Sequence, residues 1–164
     1  MARNFSQPNT ESEFAETVVT IKRTAAVVKG GRRFSFSALV VVGDKQGRVG
    51  YGYGKAREVA DAIRKGTAEA RKSMVPVPLR KETIPHPVIG RFGATKVKLI
   101  PAGPGTGVIA GAAARAVLVN SGVVNVLTKV HGSTNVMNVV KATLQGLTSL
   151  RTREQVASLR GVKI

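Results

Sequence analysis

Five cations crowd around a glycine pair in the segment Lys22-Arg-Thr-Ala-Ala-Val-Val-Lys-Gly-Gly-Arg-Arg33. Lys22, Arg23, Lys29, Arg32 and Arg33 surround a Gly30-Gly31 hinge, and the chemistry open to such a set is phosphate gripping by a mobile cationic finger that follows a folded RNA backbone or a groove. The rival reading is a solvated hairpin tip. A second basic series, Arg57, Arg64 and Arg71, recurs every seven residues, about 20° short of two helical turns each time, so it predicts a basic ridge along one helix with Lys65 and Lys72 beside it.

The glycine-rich stretches invite nucleotide-binding readings, and each fails on a particular residue. A phosphate loop ending at Gly54-Lys55 needs glycine where Val49 stands and Ser or Thr where Ala56 stands. Gly105-Thr-Gly107-Val-Ile-Ala110 fits the loose dinucleotide pattern, but the acid that should hold a ribose about 20 residues later does not exist, because Thr83 to Arg153 carries no carboxylate at all. What survives is a glycine-rich helix start able to present N–H groups to an anion such as an RNA phosphate, or else to pack closely against a second molecule or domain. His86 and His131 stand far apart without companion ligands, so no metal set can be written, and no cofactor is expected. With no cysteine there is neither a disulfide framework nor a thiolate nucleophile. No hydrolase constellation emerges, and the chain reads as a non-enzyme.

Charge supports the same direction. Twenty-six Lys and Arg against nine Asp and Glu leave +17 on 164 residues, a field that attracts polyanions. The carboxylate-free stretch carries Arg91, Lys96, Lys98, Arg115, Lys129, Lys141, Arg151 and Arg153, whereas ordinary solvated surfaces interleave both signs. The start of the chain is polar and acidic, unlike a signal or transit peptide, and no apolar run approaches the roughly 20 residues that a bilayer requires. A soluble, cytoplasmic protein with no membrane span is expected. Aromatic residues make up 4%, so a base-stacking sheet is not expected, and shape and phosphate recognition should dominate.

These side chains need elements to hold them. Alternation predicts a strand over residues 14–23 and a second over residues 34–42, with Phe34, Phe36, Ala38, Val40 and Val42 on one face, then a turn at Gly43-Asp-Lys-Gln-Gly47. A third strand is a comb of Val49, Tyr51 and Tyr53 against Gly50, Gly52 and Gly54; the glycine face implies close approach of either a packed helix or a ligand backbone. A helix over residues 57–73 should bury Val59, Ile63, Thr67, Ala70 and Met74, with Gly66 where another backbone comes near. Pro76, Pro78, Pro85 and Pro87 mark the join between two small domains. A strand over 94–100, a helix over 108–120, a strand over 123–130, a helix capped by Ser133 or Asn135 and ending near Leu147, and a last turn or two at 154–160 complete the pattern.

In this order, the motifs resemble the ribosomal protein S-five family of the bacterial small ribosomal subunit. The matching stretches are Val28-Lys-Gly-Gly-Arg-Arg-Phe-Ser-Phe36, Val41-Val-Gly-Asp44, Gly47-Arg-Val-Gly-Tyr-Gly-Tyr-Gly-Lys-Ala-Arg-Glu-Val59, His86-Pro-Val, Gly105-Thr-Gly-Val-Ile-Ala-Gly111, Arg115-Ala-Val-Leu118, Gly132-Ser-Thr-Asn135 and Asn138-Val-Val140. Two positions depart: Val136 stands where a proline is expected and Val119 where an acid is common.

The resemblance implies an α+β protein of two small domains. Residues 1–13 would be a flexible tail, 14–75 a double-stranded-RNA-binding-like βββα domain, 76–87 a linker, 88–150 a βαβα domain and 151–164 a C-terminal tail. It implies small-subunit rRNA binding by Lys22, Arg23, Lys29, Gly30, Gly31, Arg32, Arg33, Lys55, Arg57 and Arg64. Ala25, Val28, Lys29 and Gly30 would fall in the loop near the spectinomycin site, while Gly107 and Arg115 would face ribosomal protein S-four. Ribosomal proteins S-three and S-eight and mRNA at its entry path are the other implied partners, with roles in assembly and decoding accuracy. A free-standing double-stranded-RNA-binding or histone-like protein is the alternative.

Overall fold

β-branched residues dominate one long segment and Phe, Leu and Val alternate with small or polar residues in much of the next, and in the computed structural model, which describes residues 14–161, these pair as the antiparallel strands β1 (Ala15–Val28) and β2 (Gly31–Gly43). β3 (Arg48–Ala56) and the short β4 (Val75–Pro76) extend the sheet in the order β1-β2-β3-β4. Residues 1–13, read above as a flexible tail, lie outside the described residues.

The glycine comb faces a helix. α1 (Val59–Lys72) lies so close that a β-carbon on Gly50, Gly52 or Gly54 would run into the carbonyls of Ala70, Gly66 and Ala62 respectively. The residues that α1 buries are accordingly Ala62, Gly66 and Ala70, a narrower and smaller stripe than the expected Val59, Ile63, Thr67, Ala70 and Met74. Close backbone approach, rather than side-chain bulk, decides which helix face turns inward.

Strand β2 is buried on both sides from Ser37 to Gly43, so the expectation of a single apolar face holds only for part of the packing. Ala38, Val40 and Val42 meet Ala62 and Ala70 of α1, whereas Leu39 and Val41 join Val49, Val77 and Ile84 in a core shared with the second half. Fully burying one Val or Leu contributes about 1.5–3 kcal/mol, so this shared core is a major source of cohesion between the halves.

The second half forms a sheet of order β5-β6-β8-β7 from β5 (Val88–Phe92), β6 (Thr95–Pro101), β7 (Val108–Ile109) and β8 (Val126–Gly132). α2 (Ala112–Ser121) packs against the first sheet, and α3 (Val136–Thr148) covers the inner face of the second; α4 (Arg153–Arg160) follows. Two features depart from expectation. Val88–Phe92 is a strand that the βαβα pattern omits, because Gly90 interrupts its apolar alternation; that glycine lets the backbone meet Ala142 of α3. Val108–Ile109 is not the start of a helix but a strand, paired in parallel with Val126–Leu127, and the helix begins only at Ala112.

Candidate nucleic-acid interface

The Lys22–Arg33 segment is a ribbon rather than a loop between strands. β1 runs to Val28 and β2 starts at Gly31, leaving Lys29 and Gly30 as a two-residue turn, with Gly31 at φ 143°. Because β3 pairs with β2 only from Phe36 onward, residues 24–35 project beyond the sheet as two strands, about 20 Å at 3.3 Å per residue. The ladder replaces the expected hinge: backbone groups that a mobile loop would leave to water are satisfied between the strands.

Opposed residues of an antiparallel pair share a face, and this divides the cations. Arg23 lies opposite Phe36 and its guanidinium stacks over the half-exposed Phe34 ring at 4.6 Å from the centroid. Arg32 shares that side, while Lys22 and Arg33 point to the other, where Lys22, Ser37 and Lys55 stand in one row across three strands. Lys29 is at the tip. Ala25 and Val28 are exposed ribbon positions.

Where β3 leaves the ribbon, a groove of about 520 Å³ opens between Thr24, Ser35, Lys55, Arg57 and Lys65. Three cations and two hydroxyls lining an open groove can hold phosphate oxygens by charge and by hydrogen bond. Arg57 precedes α1, whose cap is Glu58, so it belongs to this groove and not to a helical ridge. The ridge is further diluted by acids: Arg64 pairs with Asp61 at 3.0 Å and Arg71 with Glu16 at 2.7 Å. Such exposed pairs contribute about 0–1 kcal/mol, so a phosphate can displace the carboxylate. Lys65 is the groove residue that the spacing argument treated as secondary.

Gly107 and Arg115 lie apart from this interface in the second half. The Gly107 N–H donates to Asn125 Oδ1 at 3.0 Å, and the strand β7 separates it from α2, so the anion-binding helix start read from Gly105-Thr-Gly107 does not form. Nothing lies within 4 Å of a β-carbon placed on Gly107, and Arg115 is exposed on α2 with no ion pair among the described residues. Val119 is exposed on the same helix, and Val136 opens α3 after Asn135, whose side chain makes no cap.

The histidines are not ligands to a shared site. His86 Nε2 accepts the Arg151 N–H at 3.1 Å while Nδ1 lies 3.0 Å from the Pro87 carbonyl, so one tautomer with its hydrogen on Nδ1 meets both contacts and ties the chain before α4 to the inter-sheet segment. Around it Arg80, Arg151, Arg153 and Arg160 line a cleft of about 540 Å³. No sequence spacing connects Arg80 to the other three, which is why the gathering is invisible before folding. No group of three or more potential metal ligands occurs among the described residues, and no described helix is long and apolar enough to cross a membrane.

Two family models match the chain, "Ribosomal protein S5, N-terminal domain" over residues 14–78 and "Ribosomal protein S5, C-terminal domain" over residues 90–160. The chain is also 58% identical over 156 residues to the small ribosomal subunit protein uS5 of Syntrophobacter fumaroxidans, covering 95% of this chain and 94% of that one. It is 56% identical over 152 residues to the protein of the same name from Rhodopirellula baltica, covering 93% and 86%. The Aquifex aeolicus uS5 is 51% identical over 162 residues, covering 99% and 78%. These relatives are ribosomal structural proteins, not enzymes.

Proposed function

The chain belongs to the ribosomal protein S5 family, and from that premise we propose that it is a structural constituent of the small ribosomal subunit that grips small-subunit rRNA with its projecting ribbon and the groove at the ribbon's base. The observation that carries this reading is the ribbon itself. A two-stranded arm that buries little and carries Lys22, Arg23, Lys29, Arg32 and Arg33 on both faces contributes less to the core than to an anionic partner. Gly30 and Gly31 let the tip turn tightly, while Lys55 and Arg57 extend the cationic track to the start of α1, with Arg64 joining after release from Asp61.

On this reading, Ala25, Val28, Lys29 and Gly30 bring the ribbon to the rRNA beside the spectinomycin site. Gly107 and Arg115 face ribosomal protein S-four, with S-three and S-eight as further neighbours and the mRNA entry path nearby. The role is non-enzymatic and needs no cofactor; it supports subunit assembly and decoding accuracy in the cytoplasmic ribosome.

The test is the salt dependence of rRNA binding by the full chain. Neutralising about six phosphates predicts that log K falls with log salt at a slope of roughly −4 to −5. K29E with R32E should fold normally and flatten that slope. A flat response in the unmodified protein would refute the reading, as would unchanged binding and subunit assembly in the double variant.

A further inference from the structure

The outer face of the second sheet is organised in rows by its register. Arg91 stands opposite Lys96, and Lys96 opposite His131, so one row across β5, β6 and β8 is wholly basic. In the next row Lys98 stands opposite Lys129. All five side chains are exposed, while α3 and the apolar core occupy the other face of the sheet.

Opposed residues of an antiparallel pair have β-carbons about 4.5–5.5 Å apart, and like charges so placed destabilise the sheet. Nearby acids normally relieve such repulsion. Here the chain has no carboxylate between Glu82 and Glu154, and none of Arg91, Lys96, Lys98 and Lys129 has an ion pair among the described residues. Glu82 is held by Asn125 Nδ2 at 3.0 Å, at the end of β8 away from Lys129 and His131. A face that is repulsive by itself and complementary to a polyanion indicates the chemistry of its occupant.

We infer that this face is a second docking surface for the phosphate backbone of RNA, separate from the ribbon; the inference rests on the reading of the chain as an rRNA-binding protein. Counterion release makes paired cations favourable once phosphates lie across them. The face carries no Phe or Tyr, and its third row is the aliphatic set Ile100, Leu127 and Ile109. Backbone contact rather than base stacking is therefore the mode of binding, and the surface should tolerate many RNA sequences.

The experiment uses the full chain, small-subunit rRNA as the probe, and K98Q with K129Q. Removing two phosphate contacts should make the salt slope shallower by about 1.4 to 1.8, additively with the loss from K29E and R32E. The midpoint of thermal unfolding without RNA should stay equal or rise, because a like-charge pair has gone. K98R with K129R, which keeps both charges, should keep the slope. An unchanged slope in the glutamine variant, alongside a flattened one in the ribbon variant, overturns the inference and assigns the face to an acidic protein neighbour instead. Loss of binding in the arginine variant as well would mark a packing role and overturn it equally. Salt-independent binding by the unmodified chain would refute the underlying rRNA reading, a separate failure.

Discussion

Asn120, at the end of α2, donates from Nδ2 to Thr17 Oγ1 of β1 at 2.9 Å, a hydrogen bond between residues 103 apart that joins the two family-matched halves. The same amide reaches the Val41 carbonyl at 3.4 Å, and the Asn120 carbonyl accepts the Lys45 N–H at 3.1 Å. Asn120 is 2% exposed, so its polar atoms depend on these partners. The halves are therefore joined by a polar clasp as well as by a common apolar core.

Asn120→Ala should lower stability by about 1–3 kcal/mol, because the Val41 carbonyl loses a buried donor while the half-buried Thr17 hydroxyl can turn partly to water. Urea denaturation should show a lower midpoint with an unchanged slope. Unfolding should remain one transition, since Leu39, Val41 and Val49 share their core with Val97, Leu99 and Val117. Two resolved transitions would contradict the shared core.

Gly54→Ala and Gly30→Ala should differ sharply. At Gly54 the new methyl would meet the Ala62 carbonyl and the Gly66 nitrogen, backbone atoms that cannot swing aside, so the cost should be at least about 3 kcal/mol. At Gly30 nothing lies within 4 Å, and the change should stay within about 0.5 kcal/mol. Thermal unfolding of the two variants side by side checks this; equal shifts would mean that α1 yields easily.

Phe34→Ala removes the ring under the Arg23 guanidinium. An exposed cation–π contact contributes about 0.5–1 kcal/mol, so stability should fall little. Loss of the platform that orients Arg23 should weaken rRNA binding severalfold with almost the same salt slope, because the charge is still present. A slope change as large as that from Arg23→Ala would show that the ring does not act by orientation.

Arg115→Ala should leave folding and rRNA affinity intact while raising missense errors, if its exposed guanidinium serves the S-four neighbour. Gly107→Phe adds left-handed strain of about 1–2 kcal/mol at φ 72°, but no steric clash within the chain, and should impair the same contact. Reduced rRNA affinity with normal accuracy in Arg115→Ala would reassign this side chain to a phosphate.

Much of the first sheet was legible before folding. Glycine at every second position of β3 has one simple cause, close approach, and α1 turned out to be the approaching element. The cations of the ribbon could be named from their density, but not their division between two faces, because a face exists only once Arg23 is set against Phe36. The basic ridge on α1 is legible only in part, for a related reason: Arg57 lies before the helix, and Arg64 and Arg71 have acidic partners. The seven-residue spacing holds for Arg64 and Arg71, yet Glu16, which pairs with Arg71, comes from β1, far away in the sequence.

The sequence by itself determined the local and additive properties: the charge excess, the carboxylate-free stretch, the alternation of β2 and the motif order that marks the S5 family. Each of these depends on residue type and near-neighbour spacing, which the chain carries whether folded or not. Tertiary structure decided the properties that depend on register and on contacts between distant residues. It extended two strands into a ribbon, spent the Gly107 N–H on Asn125, gathered Arg80 with Arg151, Arg153 and Arg160, and aligned Lys98 with Lys129. A one-residue slip in strand pairing exchanges the two faces of a strand, so these placements follow from the packing that selects the register.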